Sequence, residues 1–166
     1  CANASGRAGR SPRTRGRLGR TSASNLMDVG AVTADLYRKF GLEGQALESV
    51  GTKVLDLARL THENAGQMEQ AWSQMVRNWN VDATQYESTL DKLMMVHQKT
   101  GVGVGELSNA MVDLGPLLRG MGYNWDQAAA FIGNFYKAGV DTGNLMFGIR
   151  NAVNEFDELR LDRKTT

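Results

Sequence analysis

The stretch Asn64-Ala65-Gly66-Gln67-Met68-Glu69-Gln70-Ala71-Trp72-Ser73-Gln74-Met75-Val76-Arg77-Asn78-Trp79-Asn80-Val81 decides the fold. Met68, Ala71, Trp72, Met75 and Trp79 recur at helical spacing and fall on one face. The run then closes on Trp79-Asn80-Val81: a large apolar residue, a residue tolerant of positive φ, and an apolar residue that opens the next helix. The same kind of triplet stands 39 residues earlier, at Phe40-Gly41-Leu42, and 42 residues later, at Met121-Gly122-Tyr123. Between the triplets the register of 39 continues: Thr61 corresponds to Thr100, Met68 to Leu107, Ala71 to Ala110 and Met75 to Leu114. The excess of three in the second step falls near Gly115-Pro116, and the third unit is shortened, because Ala138-Gly139-Val140 arrives early. The expectation is an all-α chain of stacked helical hairpins. A hairpin of about forty residues cannot bury its own apolar stripe, so neighbours must stack.

Working outward, about seven helices are predicted. Asn25 can cap a first, with Leu26, Val29, Leu36, Tyr37 and Phe40 on one face and Gly41 as its stop. A second runs from about Glu43 to Leu60 on Leu47, Val50, Val54 and Leu57; the third is the stretch above. A fourth runs from about Asp82 to Lys99 on Tyr86, Leu90, Leu93, Met94 and His97, and ends at Gly101. The fifth carries Leu107, Ala110, Met111 and Leu114. Gly115-Pro116 is expected to interrupt it, since proline lacks an amide hydrogen and clashes with the preceding turn, and a short helix then restarts and stops at Gly122. The sixth opens with Asn124 as cap and Gln127 in the capping-box position, has Trp125, Ala128, Ala129, Ile132, Phe135 and Tyr136 as its face, and ends at Gly139. The seventh shows Leu145, Ile149, Ala152, Val153 and Phe156. No segment alternates cleanly enough for a strand.

The formal charge of +1 hides an asymmetry. Arg7, Arg10, Arg13, Arg15, Arg17 and Arg20 give residues 1–25 a charge of +6 with no acid; the remainder has 13 basic and 18 acidic side chains, hence −5. Residues 1–25 hold too little apolar surface to offset chain entropy and are expected to be disordered. Spaced arginines suit phosphate contact, but no aromatic residue is interleaved to stack on bases, so a solvated tail is the preferred reading over DNA contact. The lone Cys1 builds neither a disulfide framework nor a zinc site. No run approaches the roughly 18 to 20 apolar residues of a membrane span. The missing initiator methionine and the charged end at Thr166 suggest a piece of a longer protein.

A search for chemistry finds none to assemble: the expectation is no catalytic, cofactor-binding or metal residue, no cofactor and no small-molecule substrate. His62-Glu63 opens like a zinc-protease motif, but the second ligand position holds Gly66. His97 lies on an apolar stripe with no Cys, Asp or second His beside it, and reads as structural. Gly101-Val102-Gly103-Val104-Gly105 lacks the Lys-Ser/Thr of a P-loop and the strand of a dinucleotide fold, and reads as an interhelical turn. Asp141-Thr142-Gly143-Asn144 has one acid and reads as a helix-opening turn. Glu155, Asp157, Glu158 and Asp162 alternate with Arg160, Arg163 and Lys164 as a solvated face. Most of Met68, Met75, Met94, Met95, Met111, Met121 and Met146 read as core, as do Trp72, Trp79 and Trp125.

The order of these turns resembles a family. Asp28-Val29-Gly30 and then Arg38-Lys39-Phe40-Gly41-Leu42-Glu43-Gly44-Gln45-Ala46-Leu47-Glu48 look like the opening of the conserved helical region of phage tail tape measure proteins. Thr100 to Leu107, Leu114-Gly115-Pro116-Leu117-Leu118, Met121 to Ala128 and Lys137-Ala138-Gly139-Val140-Asp141-Thr142-Gly143 continue the likeness, which covers about Leu26 to Leu159. Residues 1–25 depart from the pattern.

Composition and resemblance together divide the chain into a basic tail (1–25), read from composition alone, a tape-measure-like helical domain (26–160) and the charged end of a fragment (161–166). The resemblance further implies a structural protein, not an enzyme, that lies in the lumen of a phage tail after assembly in the host cytoplasm. Such a protein acts in tail assembly, tail length determination and genome ejection. Its implied partners are the tail tube protein, tail assembly chaperones, tail tip proteins and other copies of itself. The competing reading is a cellular helical-repeat adaptor, again without enzymatic activity.

Overall fold

A computed structural model describes residues 23–162, and among them every regular element is helical. The helices are α1 (Ala23–Phe40), α2 (Gly44–Thr61), α3 (Ala65–Asn78), α4 (Tyr86–Thr100), α5 (Val104–Gly120), α6 (Trp125–Lys137) and α7 (Thr142–Asp162), with one 3-10 turn at Ala83–Gln85 before α4. The expected disorder of residues 1–22 and the charged end at 163–166 fall outside the described residues. Ala23 to Asn25, assigned to the tail from sequence, belong to α1 instead.

The pairs α2/α3, α4/α5 and α6/α7 are antiparallel hairpins stacked in register. Odd helices form one layer, in which α3 packs on α5 and α5 on α7; even helices form the other, in which α2 packs on α4 and α4 on α6. α1 lies across α2 and α3 and closes the first end of the stack. The core runs unbroken through all three hairpins. Positions 39 apart are buried together: Val54 with Leu93 and Ile132, Met68 with Leu107, Trp72 with Met111, Met75 with Leu114.

The turns follow the same repeat. Gly41, Asn80 and Gly122 all take positive φ, at 63°, 48° and 88°. After α3 and α5 the closure is the same double bond: Val81 N–H donates to the Val76 carbonyl and Tyr123 N–H to the Leu118 carbonyl, both at 3.0 Å, with Asn80 and Gly122 donating to Arg77 and Arg119. Gly41, which ends the closing helix α1, uses the simpler single bond to the Tyr37 carbonyl at 2.8 Å. The hairpin turns also match, because Thr61 and Thr100 each bond back to the carbonyl four residues earlier, at 3.0 and 2.7 Å.

Two sequence expectations need correction. α5 is one helix from Val104 to Gly120 with Pro116 inside it, not two helices broken at Gly115-Pro116. Proline in a helix interior is about 3 kcal/mol worse than alanine, so packing must outweigh it. The Trp79 ring supplies packing there, lying against the helix beside the buried Gly115. That indole N–H donates to the Met111 carbonyl at 2.9 Å, one residue before Val112, whose carbonyl loses its amide partner to Pro116. The second correction concerns α1. Leu36 is buried and Phe40 partly so, as expected, but Val29 and Tyr37 are exposed and Val32 is buried in their place. Val32 and Leu36 lie on the strip through which α1 packs on α2 and α3.

Candidate interaction surfaces

The residues that invite a chemical reading hold the stack together. Glu63, beside His62 in the turn after α2, sends its carboxylate across to the next hairpin. There it accepts the Val104 N–H at 3.1 Å and the Gly105 N–H at 3.2 Å, and it takes the Thr61 hydroxyl at 3.1 Å. The first turn of α5 has no side-chain cap of its own. An anion at a helix N-terminus meets unsatisfied N–H groups and the positive end of the helix dipole, so Glu63 fills the place a phosphate would take in a glycine-rich loop. The glycines of that loop answer to Glu63: a Cβ at Gly103 would stand 2.6 Å from its Oε1. One unit earlier the matching position is Asn64, which caps α3 itself by accepting the Gln67 N–H at 3.0 Å.

His97 turns out of the apolar stripe to the following turn. Its Nδ1 lies 2.8 Å from the Val102 carbonyl, which can only accept, so that nitrogen carries the proton. His62 is exposed and in the left-handed region at φ 60°. Asp141 caps α7 by accepting the Asn144 N–H at 2.8 Å, as a helix-opening turn requires. Asn124 and Gln127 form the expected capping box. Glu155 is exposed, and the side chains of Asp157, Glu158, Arg160 and Asp162 lie outside the description.

One charged group that sequence reading passed over is buried. Glu69 on α3 is 1% exposed; it takes Lys39 of α1 at 2.9 Å and the Ser73 hydroxyl. Its place between Met68 and Gln70 on a helix with polar neighbours gave no signal of burial. Beside it Phe40, Trp72 and Tyr86 form an aromatic cluster joining α1, α3 and α4, with the Trp72 indole donating to Thr89 Oγ1 at 2.8 Å. Burial pushes the Tyr86 phenol above its ordinary pKa. The Tyr136 phenol is raised by its bond to the Glu106 carboxylate, which ties α6 to α5.

Of the methionines, Met68, Met75 and Met111 are buried and Met94 and Met146 partly so, whereas Met95 and Met121 are exposed. Trp72 and Trp79 are core and Trp125 is half-buried. Two open grooves, of about 430 and 440 Å³, flank Glu63 and Asn64. The first is lined by Glu106, Asn109 and Asp113, the second by Asp28, Asp56 and Arg59; neither brings a nucleophile to a base. Among the described residues no group of three or more His, Cys, Asp or Glu could hold a metal ion, and no helix is long and apolar enough to cross a membrane.

Exposed large apolar side chains occur along the stack, with Leu60 on α2, Met95 on α4 and Met121 after α5 among them. Met27, Val29 and Tyr37 are exposed on α1, and Phe135 and Phe147 on α6 and α7. Comparison with known proteins gives one match: the family model of phage-related minor tail proteins aligns with residues 15–158, which takes in all three hairpins. No curated protein and no solved structure matches.

Proposed function

The chain belongs to the phage-related minor tail protein family, and from that premise we propose that it is a segment of a tail tape measure protein that acts by protein contact alone. In this reading it occupies the tail lumen after assembly in the host cytoplasm. There it contributes to tail assembly, to length determination and to release of the genome. Its partners are the tail tube protein, assembly chaperones, tip proteins and other copies of the chain. The observation that carries the reading is the family match, which covers residues 15–158 of a stack of helical hairpins. Glu63, Glu69 and His97 are all held by partners within the chain. What remains for contact is surface. Residues 26–166 are net acidic, so the stack repels DNA that passes it rather than retaining it.

The test deletes residues 41–139 in frame from the parent gene and images the particles. Shortened, aberrant or absent tails are expected. Tails of unchanged length with normal infectivity would overturn the assignment.

A further inference from the structure

The repeat lets the attachment of α1 be compared, position by position, with the later helices of its layer. In the turns that lead into α2, α4 and α6, Glu43 corresponds to Asp82 and to Asn124. Asp82 accepts the Thr84 N–H at 2.9 Å and Asn124 the Gln127 N–H at 2.8 Å, so both later turns are pinned to the helix that follows. Glu43 makes no such bond. The Leu47 N–H lies 3.4 Å from the Glu43 carbonyl, against 2.9 Å from Ala128 to Asn124. Positive φ occurs twice in the first turn, at Gly41 (63°) and Gly44 (54°), but once in each of the others, at Asn80 and Gly122.

The packing of α1 differs as well. Between Met27 and Phe40 only Val32 and Leu36 are fully buried, whereas α3 and α5 each bury eight residues. The last turn of α1 is held by Phe40, whose ring lies 5.6 Å from Trp72 and 4.9 Å from Tyr86. It is held also by Lys39, which reaches Glu69 at 2.9 Å and Asp35 of its own helix at 3.3 Å. At a step of 39 from Glu69 stands Ser108, buried and satisfied within its own helix by the Val104 carbonyl at 2.8 Å. A buried carboxylate that must cross to another helix is therefore special to the joint with α1. An ion pair shut away from water gives up hydration that offsets much of its attraction, and both charges regain that hydration when they part. Such a pair fixes the closed geometry while opposing separation less than its Coulomb energy alone would.

We propose that α1 is a hinged lid on the first end of the stack. It swings as one body about Gly41 and Gly44, with the Lys39–Glu69 pair as its latch, while α2 to α7 stay folded. A hinge is a short segment that absorbs large changes in φ and ψ between bodies that move whole. Glycine on both sides of Leu42-Glu43 supplies that freedom, and the absent cap at Glu43 removes the tie that stiffens the later turns. Elements with few buried apolar contacts open at a lower free energy than the whole domain unfolds, and α1 is such an element. Closed, the lid covers Glu69 and the sides of Trp72 and Tyr86 that face Phe40; open, it presents them to solvent. One end of the stack can thus change its surface without unfolding the rest. The device goes beyond the tail reading and stands without it.

The test is amide hydrogen exchange of the full chain, followed residue by residue by NMR where rates report opening equilibria. It compares wild type with Lys39→Gln, Lys39→Arg and Ile132→Val. In wild type the amides from Met27 to Phe40 are expected to share one opening equilibrium, about a hundredfold or more above the slowest amides of α3 and α5. Lys39→Gln strands Glu69 under the closed lid and should speed α1 exchange about tenfold or more. Lys39→Arg keeps the charge and should stay near wild type. Ile132→Val, in the core of α6, should speed exchange in α5 and α6 roughly two- to tenfold and leave α1 unchanged, because lid opening does not involve that contact. The proposal is overturned if α1 exchanges no faster than α3 and α5. It is overturned equally if protection grades from a loose first turn to a core-like last turn, which is end fraying. A Lys39→Gln variant that exchanges like wild type, or an Ile132→Val variant that speeds α1 as much as α5, would also sink it. None of these outcomes bears on tail length in the particle test, so the two readings fail separately.

Discussion

Replacing Glu63 tests whether one hairpin really caps the next. In Glu63→Ala the Val104 and Gly105 amides lose the carboxylate that now lies 3.1 and 3.2 Å away. Loss of a helix N-cap costs about 1 kcal/mol. Loss of the negative charge at the dipole adds ~0.3–1 kcal/mol at a partly exposed site. The total is about 1.5–2 kcal/mol, which for a domain of this size lowers Tm by roughly 3–8 °C. Gly103→Asn alone should cost about 1–2 kcal/mol, because its Cβ would displace the Glu63 carboxylate it meets at 2.6 Å. In the double variant the clash is gone, and the introduced asparagine can cap α5 as Asn64 caps α3. The same substitution that harms wild type should then return about 1 kcal/mol. Urea unfolding followed by circular dichroism gives the four stabilities, and hydrogen exchange at Val104 and Gly105 reports the cap locally. Additive effects, or a Glu63→Ala cost below ~0.3 kcal/mol, would refute the reasoning.

Pro116→Ala should stabilise the fold by about 1–3 kcal/mol, because the helix already runs through this exposed position; an unchanged or lower Tm would mean that the break is needed. Gly133→Ala should destabilise by about 1–2 kcal/mol despite its better helix propensity, since its methyl group meets Val96, and Val96→Ala beside it should recover most of the loss in thermal melts. Lys39→Met strands the buried Glu69 and should cost about 3 kcal/mol in chemical unfolding, whereas Lys39→Met with Glu69→Leu should cost far less. The Asp82 carboxylate, held below the usual carboxylate range by the Thr84 hydroxyl and amide, should show an NMR titration midpoint that Thr84→Val moves upward; its contribution to stability is present above the ordinary aspartate pKa and is lost as pH falls through the depressed value.

Much of this architecture was legible because it is periodic. A stripe such as Met68, Ala71, Trp72 and Met75 must face a core, and its recurrence at a step of 39 requires that neighbouring stripes share one. Turns were legible for the same reason, since Asn80 and Gly122 both sit where φ must be positive. The misreadings arose where a tertiary partner reversed a local rule. Pro116 should end a helix, and does not, because the Trp79 side chain packs there from outside α5 and donates to the Met111 carbonyl. Val29 and Tyr37 fit an apolar face, and are exposed, because α1 meets α2 and α3 only along the strip that carries Val32 and Leu36. No window along one helix contains those partners.

The apparent chemistry yields to the same logic. A glycine-rich loop before a helix is a place for an anion, and sequence alone could say only that no nucleotide motif accompanies it. The repeat supplies the missing step. In the register of 39, Gly103 matches Asn64, a residue that caps its own helix, so a glycine there leaves an uncapped helix beside an open space. The residue just before Asn64 is Glu63, one hairpin back, with a side chain long enough to cross the joint. Acid and glycines are thus two halves of one device, divided between successive hairpins. Lys53 and Lys92 likewise cross between hairpins, Lys53 to Asp91 at 2.6 Å and to Glu87 at 3.7 Å, Lys92 to Asp126 at 2.6 Å.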